Sequence, residues 1–214
     1  MKFKKFEDLR RTLNLDSDLI GVKLIYEHNN LKISPRFREA DQMEKYCEYV
    51  KRASKGEFLK IKKGDFSCHT ADIMLGFKES NNLELTMRLD VKGLKYILLF
   101  PINKYQLEDF DSIILILNPH DCMNIIKAYV TLYQKPLKIT CGAINGVCSE
   151  VTAHVIKRNE VNFSFLCSNS RISGVFNDCE LLCGIPAKMT EDLIDEIIRL
   201  TLEQKTAKEI IKLT

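Results

Sequence analysis

Hydrophobic positions recur along this chain with two periods. Phe3, Phe6, Leu9 and Leu13 are spaced as one face of a helix, and Asp16 to Asp18 ends the run. Leu19 to Tyr26 (LIGVKLIY) is short, apolar and rich in β-branched residues, which predicts a buried strand. Asn29, Asn30 and Pro35 mark a loop. Met43, Tyr46, Cys47 and Val50 place a helix over Glu39 to Ser54, closed by Gly56. Lys60 to Asp65 reads as a loop or short strand, and Ser67 to Leu75 as a second helix ending at Gly76. Leu83 to Asp90 alternates as a strand, and Tyr96 to Pro101 is a more buried one that stops at proline.

The pattern then starts again. Asp111 to Leu117 (DSIILIL) predicts a buried strand and His120 to Tyr133 a helix. Cys148 to Ile156 predicts a short helix after the glycine-bearing loop Gly142 to Gly146. Val161 to Cys167 and Glu180 to Ile185 follow as strands. Glu191 to Leu213 is a long amphipathic helix whose apolar stripe holds Leu193, Ile194, Ile197, Ile198 and Leu200, with Thr190 as its N-cap. A stripe that wide is expected to lie against a sheet or against a second copy of the chain, so a homodimer is one option.

The fold expected is therefore α/β, with α+β as the variant. Met43 and Met123 stand 80 residues apart, as do Cys68 and Cys148, and Tyr49-Val50 falls on Tyr129-Val130 in the same register. This predicts one compact domain of two duplicated β-α-α-β-β halves, 19–101 and 112–186, related by a pseudo-two-fold axis, with 187–214 as a C-terminal helix. In that scheme Cys68 and Cys148 occupy equivalent places. The bland alternative is the chance echo that any α/β chain can show.

Composition narrows the class. The chain has 214 residues, long enough to bury a substantial core. Hydrophobic residues at 45% and charged residues at 29% are ordinary globular values. The charged start, Met1 to Arg11, does not read as a signal peptide, and no apolar run reaches bilayer length. A cytoplasmic location without membrane partners is expected, where thiols stay reduced. The net charge of +3 is too balanced to imply a polyanion by itself. Lys51 to Lys63 is densely basic with aromatics beside it, but carries no nucleic-acid motif and reads as a solvated helix side and loop.

Candidate chemistry then rests on eight cysteines. Cys68 and Cys148 stand at predicted helix N-termini, where a thiol has a lowered pKa. Cys167 follows a strand and has Arg171 close behind, while Cys47 lies on a core-facing helix. No C-x-x-C occurs, so zinc-ribbon and thioredoxin patterns are absent. Convergent thiolates from distant segments remain open, for an iron–sulfur cluster or another thiolate-bound metal held by Cys47, Cys68, Cys148 and Cys167. A second reading is an enzyme or carrier whose nucleophile is Cys148, with Arg171 and His69 binding an anionic substrate. A third is a ligand- or protein-binding module whose cysteines are merely packed. That packing role is the one expected for Cys122, Cys179 and Cys183. Glu150 reads either as a base beside Cys148 or as a first-turn carboxylate complementing the dipole.

Six segments together carry a resemblance: YCEYVKRASKGE, SCHTADIMLGF, FPINKYQLEDFDSIILILNP, VCSEV, CSNSR and ELLCGIP. The chain resembles the uncharacterised family named domain of unknown function 169, over about Gly21 to Ile194. The resemblance implies cysteine at the positions of Cys47, Cys68, Cys148 and Cys167, and arginine at Arg171. It implies no settled activity. The sequence departs from the family pattern at His69 and Ala71, where proline and glycine are usual, and at Asn169, where glycine is usual.

Overall fold

A computed structural model of the chain describes residues 2–29, 32–79, 87–89, 91–105, 107 and 109–213. Among these, seven strands form one mixed sheet in the order β2-β3-β4-β1-β5-β7-β6. The strands are β1 (Ile20–Tyr26), β2 (Arg38–Glu39), β3 (Leu59–Ile61), β4 (Leu94–Pro101), β5 (Ser112–Leu117), β6 (Asn162–Ser164) and β7 (Leu181–Pro186). Only the β2–β3 pair is parallel.

Apolar side chains point both ways from the central strands, so both faces must be covered. Ile20, Val22 and Leu24 of β1 join Ile97, Leu99, Ile114, Ile116 and Leu182 on one face. Leu98, Phe100, Ile113, Leu115 and Ile185 project from the other. The first face is covered by α2 (Tyr46–Ala53), α3 (His69–Met74) and a π-helix, Gly146–Ala153, that runs into α5 (His154–Arg158). The second is covered by α1 (Lys2–Thr12), α4 (Pro119–Tyr133) and α7 (Ala187–Leu213). A short α6 (Ser168–Ile172) links β6 to β7. The result is a three-layer α/β architecture, as the sequence pattern predicts.

The long C-terminal helix lies against α1, α4, β5 and β7, with Leu193, Ile194 and Ile197 fully buried. Its apolar stripe is thus covered by the chain's own helices and sheet. It begins earlier than expected, directly after β7. Thr190 lies one turn inside it and is not its cap; its hydroxyl donates to the Pro186 carbonyl at 2.9 Å.

Other boundaries also move. The helix expected over Glu39 to Ser54 starts only at Tyr46, because Arg38 and Glu39 pair with β3 as an edge strand. Met43 therefore lies outside the helix and is 64% exposed. The strand expected over Leu83 to Asp90 falls largely outside the described residues, and residues 87–89 have no regular structure. The order β-α-α-β-β is not found: β3 separates α2 from α3, and α6 separates β6 from β7.

Candidate functional site: a cavity walled by four thiols

α2, α3, the π-helix and α6 all begin around one cavity of about 30 Å³. Cys47, Cys68, Cys148 and Cys167 all line it, with Lys45, Tyr46, Thr70 and Asn145 among the other walls.

Each thiol is placed by its own local structure. Cys47 is the second residue of α2, whose start is fixed by the Glu48 carboxylate accepting from the Lys45 N–H at 2.6 Å. Cys68 is the N-cap of α3, and its Sγ lies 3.1 Å from the Thr70 hydroxyl. The two helix starts are stitched together by a parallel bridge between Glu44 and Phe66. There the Ser67 N–H donates to the Glu44 carbonyl at 2.9 Å. The buried Tyr49 hydroxyl reinforces this junction: it lies 2.6 Å from the Gln42 carbonyl and 2.8 Å from that of Asp65, and accepts from the Glu44 N–H at 3.2 Å.

Cys148 is the third residue of the π-helix and not its N-cap, which is Asn145. The wide turn frees carbonyls that side chains then satisfy. The Thr152 hydroxyl donates to the Val147 carbonyl at 2.8 Å, and the Asn162 amide donates to that of Glu150 at 2.9 Å. Gly184 and Gly146 let this segment approach the sheet. A Cβ at Gly184 would stand 2.5 Å from the Val151 carbonyl oxygen, and one at Gly146 would stand 2.7 Å from Leu166 Cα. Cys167 is the N-cap of α6, with its N–H donating to the Ser170 hydroxyl at 3.2 Å.

The electrostatics run against the expected thiolates. Burial pushes the Cys47 thiol up to about 12, and the neighbouring Cys167 adds to the shift. Burial pushes Cys148 up as well, with Cys68 and Cys167 contributing. A dipole at the helix start does not overcome desolvation here. The shift at Cys148 is thus opposite in direction to the lowering expected of a thiol at a helix N-terminus. Cys47 and Cys148 are thereby held toward the neutral thiol.

Arg171 and His69 are not among the residues that line this cavity. The Arg171 guanidinium donates to the backbone carbonyls of Phe165, Asn177 and Glu180, bracing the loop before β7. It does not line the cavity. His69 opens α3 on the exposed surface and is absent from the lining.

Glu150 is neither base nor dipole partner. Its buried carboxylate accepts from the Gly142 and Ala143 N–H groups at 2.7 and 2.8 Å, and from the Ser164 hydroxyl at 2.5 Å. It thereby holds the loop that carries Asn145 to the cavity. Nothing in the spacing of the sequence signals this role or that of Tyr49.

The remaining cysteines separate by exposure. Cys122 and Cys183 are buried, as packing predicts, while Cys179 is exposed against that expectation; Cys141, for which the sequence favours neither role, is exposed as well. All eight thiols are free. Among the described residues no group of three or more histidine, cysteine, aspartate or glutamate side chains is arranged to hold a metal ion as it stands. None of the helices is long and apolar enough to cross a membrane. Several basic groups of the 51–63 stretch are paired: Lys51 with Glu180, Arg52 with Glu44 and Glu57, and Lys60 and Lys62 with Glu39.

Comparison with known proteins places the chain. The sequence model of domain of unknown function 169, described as uncharacterised ArCR, matches over residues 8–87 and again over 81–196. The chain belongs to this family. The match covers most of the domain-169 chain and all four cavity cysteines, and the family description states no activity. No curated protein and no solved structure matches the domain-169 chain.

Proposed function

We propose that this domain-169 protein holds a soft metal centre through Cys47, Cys68, Cys148 and Cys167. The observation that carries the reading is that four cysteines, drawn from four separate segments, line a single small cavity. Packing alone gives no reason for four sulfurs from four separate segments to gather at one place. Thiolate donors select soft or borderline ions such as zinc, ferrous iron or copper(I). Four sulfurs at about 2.3 Å from an ion leave almost no free volume between them. A cavity of about 30 Å³ suits one ion, and a cluster requires its walls to part.

Metal binding on this reading displaces thiol protons, so apparent affinity rises with pH. Because burial raises Cys47 and Cys148, the rise of affinity with pH extends further to the alkaline side than it would for exposed cysteines. A cytoplasmic, reducing setting keeps the site competent. The alternative in which Cys148 acts as an enzyme's thiolate nucleophile has the desolvation of that thiol against it.

The test is anaerobic purification followed by metal analysis and a visible absorption spectrum. The reading expects about one metal per chain, lost in Cys148→Ser and retained in Cys122→Ser and Cys179→Ser. The same metal content in all three variants overturns it. A cluster absorption band retains the ligand set and replaces the single ion.

A further inference from the structure

The strand register relates the four thiols in a way that residue identities do not. β1 and β5 run antiparallel with Gly21 opposite Ile113, Ile20 opposite Ile114 and Val22 opposite Ser112. A two-fold rotation about an axis through the Gly21–Ile113 pair exchanges the other two pairs. The same rotation carries Leu99, which faces Val22 from β4, onto Gly184, which faces Ile114 from β7. It carries Leu59 on β3, opposite Leu99, onto Asn162 on β6, opposite Gly184. β3-β4-β1 and β5-β7-β6 therefore match in order, direction and register.

The helices follow the strands. α3, capped by Cys68, joins β3 to β4, and α6, capped by Cys167, joins β6 to β7. α2 precedes β3 with Cys47 in its first turn, and the π-helix with Cys148 in its first turn lies between β5 and β6. α2 and the π-helix pack against each other on one sheet face. β2 has no counterpart in the second half and α4 none in the first.

We infer that the cavity is a composite of two equivalent half-sites, in which Cys47 corresponds to Cys148 and Cys68 to Cys167, so that one soft ion is held by a thiol pair from each half and bridges them. The inference rests on the metal reading above and adds to it which ligands are interchangeable and that neither half suffices. It also replaces the correspondence of Cys68 with Cys148 that the 80-residue echo suggests. That echo sets the cap of α3 against the first turn of a different kind of helix.

Cobalt(II), whose visible bands report tetrahedral thiolate ligation, is the probe, added anaerobically to the reduced full-length chain. Cys47→Ser and Cys148→Ser should weaken binding by matching factors, and Cys68→Ser and Cys167→Ser by matching factors. Each loss should exceed the roughly 10- to 100-fold typical of losing an outer-shell partner. A measurement on the unaltered chain covers any variant that fails to fold: bound cadmium(II) should shield all four cavity cysteines from N-ethylmaleimide, as mapped by mass spectrometry. Shielding of only Cys47 and Cys68, or only Cys148 and Cys167, overturns the composite site while the metal reading stands. An unaltered chain that binds neither ion overturns both.

Discussion

Gly184 on β7 and Val151 in the π-helix are so close that a Cβ on the glycine would stand 2.5 Å from the valine's carbonyl oxygen. That contact sets how near the Cys148 segment lies to the sheet. Gly184→Ala must push the segment outward, since the opposing atom is backbone and has little freedom to yield. Overpacking of this kind costs about 1–3 kcal/mol. The denaturant midpoint should fall, and Cys148 should become easier to alkylate under native conditions. Unchanged values of both would mean that the π-helix is not held by this contact.

Tyr49→Phe removes the hydroxyl that joins Gln42, Glu44 and Asp65 without changing the ring. A buried hydrogen bond lost with its partners left in place costs about 1–3 kcal/mol. The junction between the starts of α2 and α3 should loosen. Amide exchange at Glu44 and Ser67 should quicken more than exchange in α7. Uniform acceleration across the chain would show that the junction has no local stability of its own.

Ile197 is fully buried on the inner face of α7. Ile197→Asp places an unpaired charge there, a cost of several kcal/mol. The variant should lose cooperative thermal unfolding or fail to fold. A stable variant with an unaltered melting curve would show that α7 is not docked on the sheet and α4.

Acid should expose the Glu7 cluster. Hydrogen bonds from Arg10, with further ones from Asn103 and Arg11, hold the Glu7 carboxyl down from 4.5 to about 2. A depressed folded pKa gives stability that is present above the unfolded value and lost as pH falls from about 4.5 toward 2. Urea midpoints across that window should drop less in Glu7→Gln than in the unaltered chain. At the alkaline end the sign reverses. Cys47 is raised from 9.0 to about 12, so its contribution is present below 9.0 and lost as pH climbs toward 12.

Much of this fold can be read from apolar runs alone. The central strands β1 and β5 are continuous hydrophobic segments, which only a doubly covered sheet accommodates, and the stripe of α7 is long enough to fix its period. The start of α2 is not legible in that way. Glu39 has the propensity of a helix former, but tertiary pairing of Arg38 and Glu39 with β3 overrides it. In the cavity, the resemblance of the six segments singles out the four cysteines. Chemistry alone could not, because whether a thiol near a helix start is ionised depends on burial that the sequence does not display. Arg171 misleads for a related reason. Its three carbonyl partners lie six to nine residues away, and only the closed loop brings them within reach.

The sheet ends in β2 on one side and β6 on the other, two and three residues long. β2 consists of one arginine and one glutamate, both exposed. Among the described residues neither border presents a row of free backbone groups long enough to template another strand, and the outermost one places charge where such a strand would dock. The protein is therefore guarded against fibre growth and runaway edge-to-edge polymerisation even though its central strands are among the most aggregation-prone kinds of sequence.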